Sequence, residues 1–530
     1  MSTEIQTSTG SAVTQEFLGN LDLVDQVLQY FPSLPSQYDD DDHWICSRTL
    51  LGVALTCRDL SEPALDLLWR HLETILPLLK LLPGFTKMVV DEETESSTLC
   101  GPLPAEEFII FDHYAEKVLS LAMGRHYREP WYGISPAVLM QIALVHPGPL
   151  FPRPHTMHIS SSISHDSSIL CLVSPTLRTL VLDPLEPLQV VTIVVPLLSM
   201  VVHSNPSALE DLSLRELFPP EILDIIPHFT NLRRLWIDFA FRGDFRTIFK
   251  AVNTWSGLKG LRTLKLTGIP KNRHRVVDFV PPPSLSLPGL ETLTLSAEFD
   301  FVHGFITSLD GPHLEALHLK FYRAPTVFTD VQKVRRWYSL LDHIGRKWDL
   351  GLAVLTLDDD EGQYTVLCLF SEVFSRLCRL DLRHFELCTS FMAMTAQDVL
   401  ELGAAWPKLQ HLALDLLGHS PQIQSVNCLV DLANCCPFLQ FLEIWCTTVV
   451  DVVQKSAIRI SHPLKTLVLN YNSDRDFKFE MQVIAEILDT TFPQLESLEG
   501  YPFGAISPLE ALWRARARER RGLASSALCA

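Results

Sequence analysis

His155, His158 and His165 fall within eleven residues, a density of imidazole that could bind zinc. Zinc sites combine such histidines with paired cysteines or a carboxylate at short fixed spacing, and this segment has neither at that spacing. Loop polarity explains the cluster, and no metal ligand set is expected. Cys435 and Cys436 are adjacent and lack the two-residue gap of a redox or zinc pair. With Pro437 behind them they read as the buried end of a helix. The run Asp39–Asp42 has four carboxylates but not the glycine and glutamate of a calcium loop, so it reads as a solvated stretch. The chain contains no Gly-x-x-x-x-Gly-Lys loop, Gly-x-Ser-x-Gly elbow, His-Glu-x-x-His helix or Gly-x-Gly-x-x-Gly turn. No catalytic residue and no cofactor is expected.

Recognition is better provided for than catalysis. Twelve phrases of the form Leu-x-x-Leu-x-Leu, or close variants, open at Leu177, Leu209, Leu232, Leu261, Leu290, Leu314, Leu352, Leu377, Leu409, Leu439, Leu464 and Leu495. Their mean spacing is about 29 residues, within the range of leucine-rich repeats. Side chains alternate along a strand, so the fourth and sixth positions point inward and the third, fifth and seventh outward. The outward set comprises Arg234, Trp236 and Asp238, then His318 and Lys320, then Arg379, Asp381 and Arg383, then His411 and Asp415, then Glu443 and Trp445. Aromatic and Arg residues on an exposed sheet are what an interface would use. These twelve are the expected target-binding residues.

One such strand cannot close a core. It must stack on its neighbours, which builds a solenoid with a parallel sheet on its concave face. Several phrases follow a stretch of helical period with Pro just before the strand, as in TAQDVLELGAAWPKLQHLAL. The helix ends near the Pro because proline disfavours helical geometry in the residue before it. Helices therefore cover the convex side. Degenerate units are expected at Pro154–Ile159 and within Phe111–Met123.

A formal net charge of −19 argues against a general nucleic-acid or anionic-membrane binder, which would want a basic face. The most apolar window, Leu185–Val202, is broken by Glu186, Gln189 and two prolines, and reads as a buried segment rather than a membrane span. Cysteines such as Cys171 and Cys368 sit in apolar runs, and residues 1–16 lack an apolar leader. A cytoplasmic or nuclear setting is expected. Arg514, Arg516, Arg518, Arg520 and Arg521 make a basic tail, read as a solvated terminal helix.

Residues 20–72 have another grammar. Leu21, Val24, Val27, Leu28 and Phe31 have helical spacing, a Pro- and Asp-rich interruption comes next, and Ser61 reads as an N-cap with Pro63 in the first turn. The run ALTCRDLSEPALDLLWRHLETILPLLKLLP resembles the second half of an F-box in the F-box/leucine-rich-repeat families of mushroom-forming fungi. The first helix departs from that pattern, with Gly19-Asn20 where Leu-Pro is usual and Asp22 where Glu is usual.

The resemblance implies a non-enzymatic substrate-recognition subunit of a cullin–RING ubiquitin ligase. Its helices would bind a Skp-type adaptor through Leu23, Val24, Val27, Leu28 and Leu51, and its repeats would hold an unknown target protein. The alternative is a protein-interaction scaffold with a relic F-box and no ubiquitin link. The expected fold is α/β, a small all-helical module followed by an irregular leucine-rich-repeat solenoid. Its parts would be a disordered 1–19, a module at 20–75, a connector with degenerate first repeats at 76–150, the solenoid at 151–505, and a capping helix with basic tail at 506–530.

Overall fold

Apolar residues three and four apart draw the N-terminal helices together. In the computed structural model, α1 (Leu21–Leu28), α2 (Asp40–Thr56) and α3 (Arg58–Arg70) close around Val24, Leu28 and Leu50. Val53, Leu60, Leu67 and Leu68 pack against that cluster. The structure describes residues 21–28, 40–56, 58–91, 94–123, 134–135, 137–146, 148–160, 167–183, 190–215, 220–239, 245–268, 284–322, 330–349, 351–359, 368–389, 392–416, 427–446, 462–471, 478–500 and 509–518. Residues 1–19, expected to be disordered, lie outside this set.

Two local expectations are corrected here. The acidic run is not simply an interruption, because α2 begins at Asp40. Acidic residues suit the positive end of a helix. Ser61 is not an N-cap either, since α3 starts at Arg58 and Pro63 lies inside it. Pro63 is only the sixth residue of that helix, so its missing N–H forfeits a single bond, to the carbonyl of Asp59.

The chain forms two compact units, Met1–Ile237 and Asp238–Ala530. In the first, the strands His71–Leu72, Ser120–Met123, Thr156–Ile159, Thr179–Leu182, Asp211–Leu214 and the one opening at Arg234 pair in parallel, in chain order. Two of these precede residue 151. A separate antiparallel pair joins Phe85–Asp91 to Thr94–Leu99. Helix α3 is tied to a later segment of the same unit. Lys117 Nζ donates to Glu62 Oε2 at 2.8 Å and also to Asp66, and the rings of Trp69 and Tyr114 lie 4.5 Å apart. The apolar window supplies a helix, Val195–Ser204, that buries Leu197, Leu198 and Val201. No described helix is long and apolar enough to cross a membrane.

Among the described residues of the second unit, nine parallel strands succeed one another in one long sheet: Thr263–Thr267, Thr292–Glu298, Ala316–Tyr322, Val354–Asp359, His384–Thr389, His411–Leu416, Phe441–Cys446, Thr466–Tyr471 and Ser497–Glu499. Two short two-stranded parallel pairs are separate from that sheet. Inward residues stack in register, as in Leu293–Leu317–Leu355–Phe385–Leu412–Leu442, each at most 1% exposed. Helices cover that face, and their aromatics lock onto the strands: Trp406 meets Phe385 edge-on at 4.9 Å and Phe374 at 5.1 Å. This sheet of parallel strands with helices on its buried side is an α/β repeat architecture of the leucine-rich type.

Eleven of the twelve phrases open a strand two residues after their first leucine, as His411 comes after Leu409. The twelfth does not. Leu377 ends the helix Phe370–Leu377, and the strand begins at His384. The true opening leucine is Leu382, whose phrase reads Leu382-Arg-His-Phe385-Glu-Leu387. The backbone proves the register. The carbonyl of Ala353 accepts from the N–H groups of Arg383 (2.8 Å) and His384 (3.1 Å), and that of Arg383 accepts likewise from Gln410 and His411. Phe385 in a leucine slot concealed the phrase, and an overlapping run of leucines imitated it five residues earlier.

At the other end, residues 509–518 form a helix that buries Leu509, Trp513 and Ala517 at intervals of four. Arg514 pairs with Glu510 at 2.5 Å and Arg516 with Glu486 at 3.5 Å, while Arg520 and Arg521 lie outside the described residues.

Candidate functional site

The open face of the second unit's sheet carries a row of rings. His384 and His411 take the first outward position on adjacent strands, and Phe441 takes it on the next. Parallel strands in register bring these side chains face to face. The two imidazoles lie 3.9 Å apart at 8°, and His411 stacks on Phe441 at 4.1 Å and 3°. Glu386 takes the second outward position of the His384 strand. Its Oε1 meets His384 Nε2 at 2.8 Å and His411 Nε2 at 3.1 Å. Thr356, its neighbour across the sheet, donates Oγ1–H to Glu386 Oε2 at 3.3 Å. That leaves the Thr356 oxygen free to accept from His318 Nδ1–H at 3.0 Å. A polar chain therefore runs His318–Thr356–Glu386 and ends in two imidazoles.

The charges result from these contacts. Hydrogen bonds from His384, and then from His411, hold the Glu386 carboxyl well below the usual carboxylate range. Burial lowers the His318 pKa, against a smaller opposing pull from Glu386. In the third outward row Lys320 Nζ donates to Asp358 Oδ2 at 2.7 Å, and the Cys388 thiol points to Asp415 Oδ2 at 3.6 Å. Burial first, and then Asp415 and Asp358, push the Cys388 thiol far above its ordinary pKa. It stays protonated and is not an activated nucleophile. The face can present carboxylate and imidazole groups held in place by their neighbours.

The expected recognition residues divide by register. His318, Lys320, His411, Asp415 and Glu443 stand half-exposed on this open face. Trp445 lies in the strand Phe441–Cys446, and its side chain is outside the described residues. Arg379, Asp381 and Arg383 are corrected: they are exposed in the turn between helix and strand, displaced by the five-residue shift in register, and Asp381 there pairs with Lys408 at 2.7 Å. The outward residues of that repeat are instead His384, Glu386 and Cys388.

Asp238, half-exposed, ends the strand Arg234–Asp238. In the first unit Arg234 is engaged by both carboxylate oxygens of Asp211 on the adjacent strand, with Nε 2.5 Å from Oδ1, and that bonding raises its pKa. Trp236 lies under the Arg215 guanidinium at 4.2 Å. Arg215 also reaches Asp183 at 3.2 Å, and Asp183 holds the buried imidazole of His158. Of the three clustered histidines, His158 thus has a carboxylate partner, and His165 lies outside the described residues.

Of the five residues expected to meet an adaptor, Leu23, Val27 and Leu51 are 42%, 50% and 46% exposed. Val24 and Leu28 are 2% and 4% exposed and belong to the three-helix core, so they shape the module rather than face a partner.

Sequence reasoning missed His384 and Glu386. The available signal was the pair His-x-Glu one residue beyond Leu382-Arg383, readable only once the phrase had been placed there.

No family model matches the sequence, and no curated protein matches it. Among solved structures, an internalin from Listeria monocytogenes str. 4b F2365 is 16% identical, covering 66% of this chain and 81% of its own, at a TM-score of 0.32.

Proposed function

We propose that this protein is a non-enzymatic binding subunit. Its repeat face holds a partner protein, and helices α1–α3 dock on a Skp-type adaptor of a cullin–RING ubiquitin ligase. The observation that carries this reading is apolar surface left over on a module whose core is already closed. Leu23, Val27 and Leu51 are joined by Ile45 and Leu55, 54% and 79% exposed. A three-helix module of this size buries too little to be stable alone, and apolar surface beyond its core suits a protein partner.

The ties from Lys117 to Glu62 and Asp66, with Trp69 on Tyr114, join α3 to the segment that leads into the strand Ser120–Met123. They would connect an adaptor-bound module firmly to the sheet of the first unit. The chain's contribution would then be proximity and orientation of a target near a charged enzyme, and the covalent chemistry would belong to the partners. Cysteines set within apolar runs of sequence, such as Cys171 and Cys368, fit a reducing cytoplasmic or nuclear setting.

The test is capture of the full chain by immobilised Skp adaptor, beside a Val27→Asp/Leu51→Asp variant. Both substituted positions are exposed, so the variant should melt like wild type while losing at least about tenfold in binding, the effect of about 1.4 kcal/mol. A wild-type chain that is folded by circular dichroism yet uncaptured would overturn the adaptor reading. The protein would then stand as an interaction scaffold with no ubiquitin link.

A further inference from the structure

We infer that His384, Glu386 and His411 form a binding site for a divalent transition-metal ion of the zinc class. The three donors come from two adjacent strands and converge: Nε2 of each histidine faces the same oxygen of Glu386, at 2.8 and 3.1 Å. All three ligand atoms lie within 4.8 Å of one another. Zinc bound at about 2.0–2.2 Å to two imidazole nitrogens and a carboxylate oxygen separates tetrahedral ligands by about 3.3 Å. The two N···O spacings need to open by only about 0.2–0.5 Å to reach that separation. Two imidazoles and one carboxylate make a borderline donor set, suited to zinc, cobalt or nickel rather than to calcium or magnesium.

The surroundings are those of a held site. Thr356 fixes the second carboxylate oxygen by donating to Oε2 at 3.3 Å, leaving Oε1 directed at the imidazoles. Phe441 backs the His411 ring at 4.1 Å. The trio is half-exposed on the open sheet face, so an ion can enter from solvent and water can complete its coordination. One adjustment is required. The imidazoles are stacked nearly parallel, whereas a metal must lie in the plane of each ring, so binding splays the two rings about their final side-chain torsions. Those torsions are broad and soft. Each ring then offers its Nε2 lone pair and keeps its remaining proton on Nδ1. The inference is independent of the adaptor reading, since the ion binds whether or not the face also holds a protein.

The test uses the full chain, stripped with EDTA and titrated with Co2+ under visible absorption, with subsequent displacement by Zn2+. Wild type should develop d–d bands that saturate at one equivalent and are lost on adding Zn2+. His411→Ala and Glu386→Gln should abolish the one-equivalent step. Thr356→Val, which leaves every ligand in place, should weaken binding by about 10–100-fold. Should a variant fail to fold, the wild-type Co2+ complex decides alone, because ring protons of His384 and His411 must show the largest paramagnetic shifts in its NMR spectrum. Absence of a saturable band in wild type overturns the inference. So does an unchanged titration in the folded variants, or paramagnetic shifts centred on other histidines.

Discussion

The imidazoles of His384 and His411 lie flat on one another, 3.9 Å apart and 8° from parallel, and both aim Nε2 at a single oxygen of Glu386. The residues are 27 positions apart in the chain and one strand apart in the sheet. Strand register alone produces the pair. A shift by one residue in either strand would turn one ring into the core.

The register of that repeat can be tested by mutation. Phe385 is 1% exposed and meets Trp406 edge-on, so Phe385→Ala should cost about 3–5 kcal/mol. Arg379 and Arg383 are exposed in the turn, and alanine at either should change stability by no more than about 0.5 kcal/mol. Urea denaturation measures all three. Little loss at Phe385 would restore the phrase to Leu377.

Gly345 sets two effects against each other. It lies in the helix Asp330–Lys347, where alanine would gain about 1 kcal/mol of helix propensity. A Cβ there would overlap the carbonyl oxygen of Arg376 on the neighbouring segment. Backbone cannot swing aside as a side chain can, and overpacking of this kind costs about 1–3 kcal/mol. Gly345→Ala should therefore lower the melting temperature. A rise would show that the two segments can separate at no cost.

Stability should fall as pH drops below the ordinary histidine value. His462 is 1% exposed; its Nε2 donates to the Cys436 carbonyl at 2.8 Å, and its Nδ1 accepts from Leu464 N–H at 3.3 Å. Only a neutral imidazole can do both. Burial lowers its pKa, as it does those of His303, His318 and His343. The nearby Cys436 thiol, pushed up to about 12 by burial and then by Cys435, stays neutral throughout. The unfolded chain takes up these protons from about pH 6.5 downward while the folded chain resists, so the stabilisation is complete above that pH and is lost below it. Each such proton contributes up to about 1.4 kcal/mol per pH unit. Urea midpoints at pH 7.5 and 5.5 should differ more for wild type than for His462→Gln, whose amide can keep both hydrogen bonds. An equal or larger difference in the variant would remove His462 from the account.

The repeat skeleton was legible because its signal is short-range. Leu261, Leu264 and Leu266 mark their own strand, and alternation alone says which residues are buried. The helix Ala396–Ala405 falls within the stretch whose period predicted it. Local chemistry misled where two local signals overlapped. Leu377, Leu380 and Leu382 imitate a phrase, yet Leu377 and Leu380 are buried as the end of a helix and the turn after it. Pro63 imitated a helix start, though the helix absorbs it near its N-terminus.

By itself the sequence determined that this protein is a row of α/β units with leucines inward and polar residues outward, since periodicity of two and of three to four is written in neighbouring residues. Tertiary structure alone decided which outward residues meet. His384 and Glu386 acquire His411 and Thr356 only through cross-strand pairing. Val24 and Val27, three apart on α1, part company because only one of them faces the closed core. Contacts between strands depend on register, and register is settled by the packing of a whole sheet against its helices rather than by any one phrase.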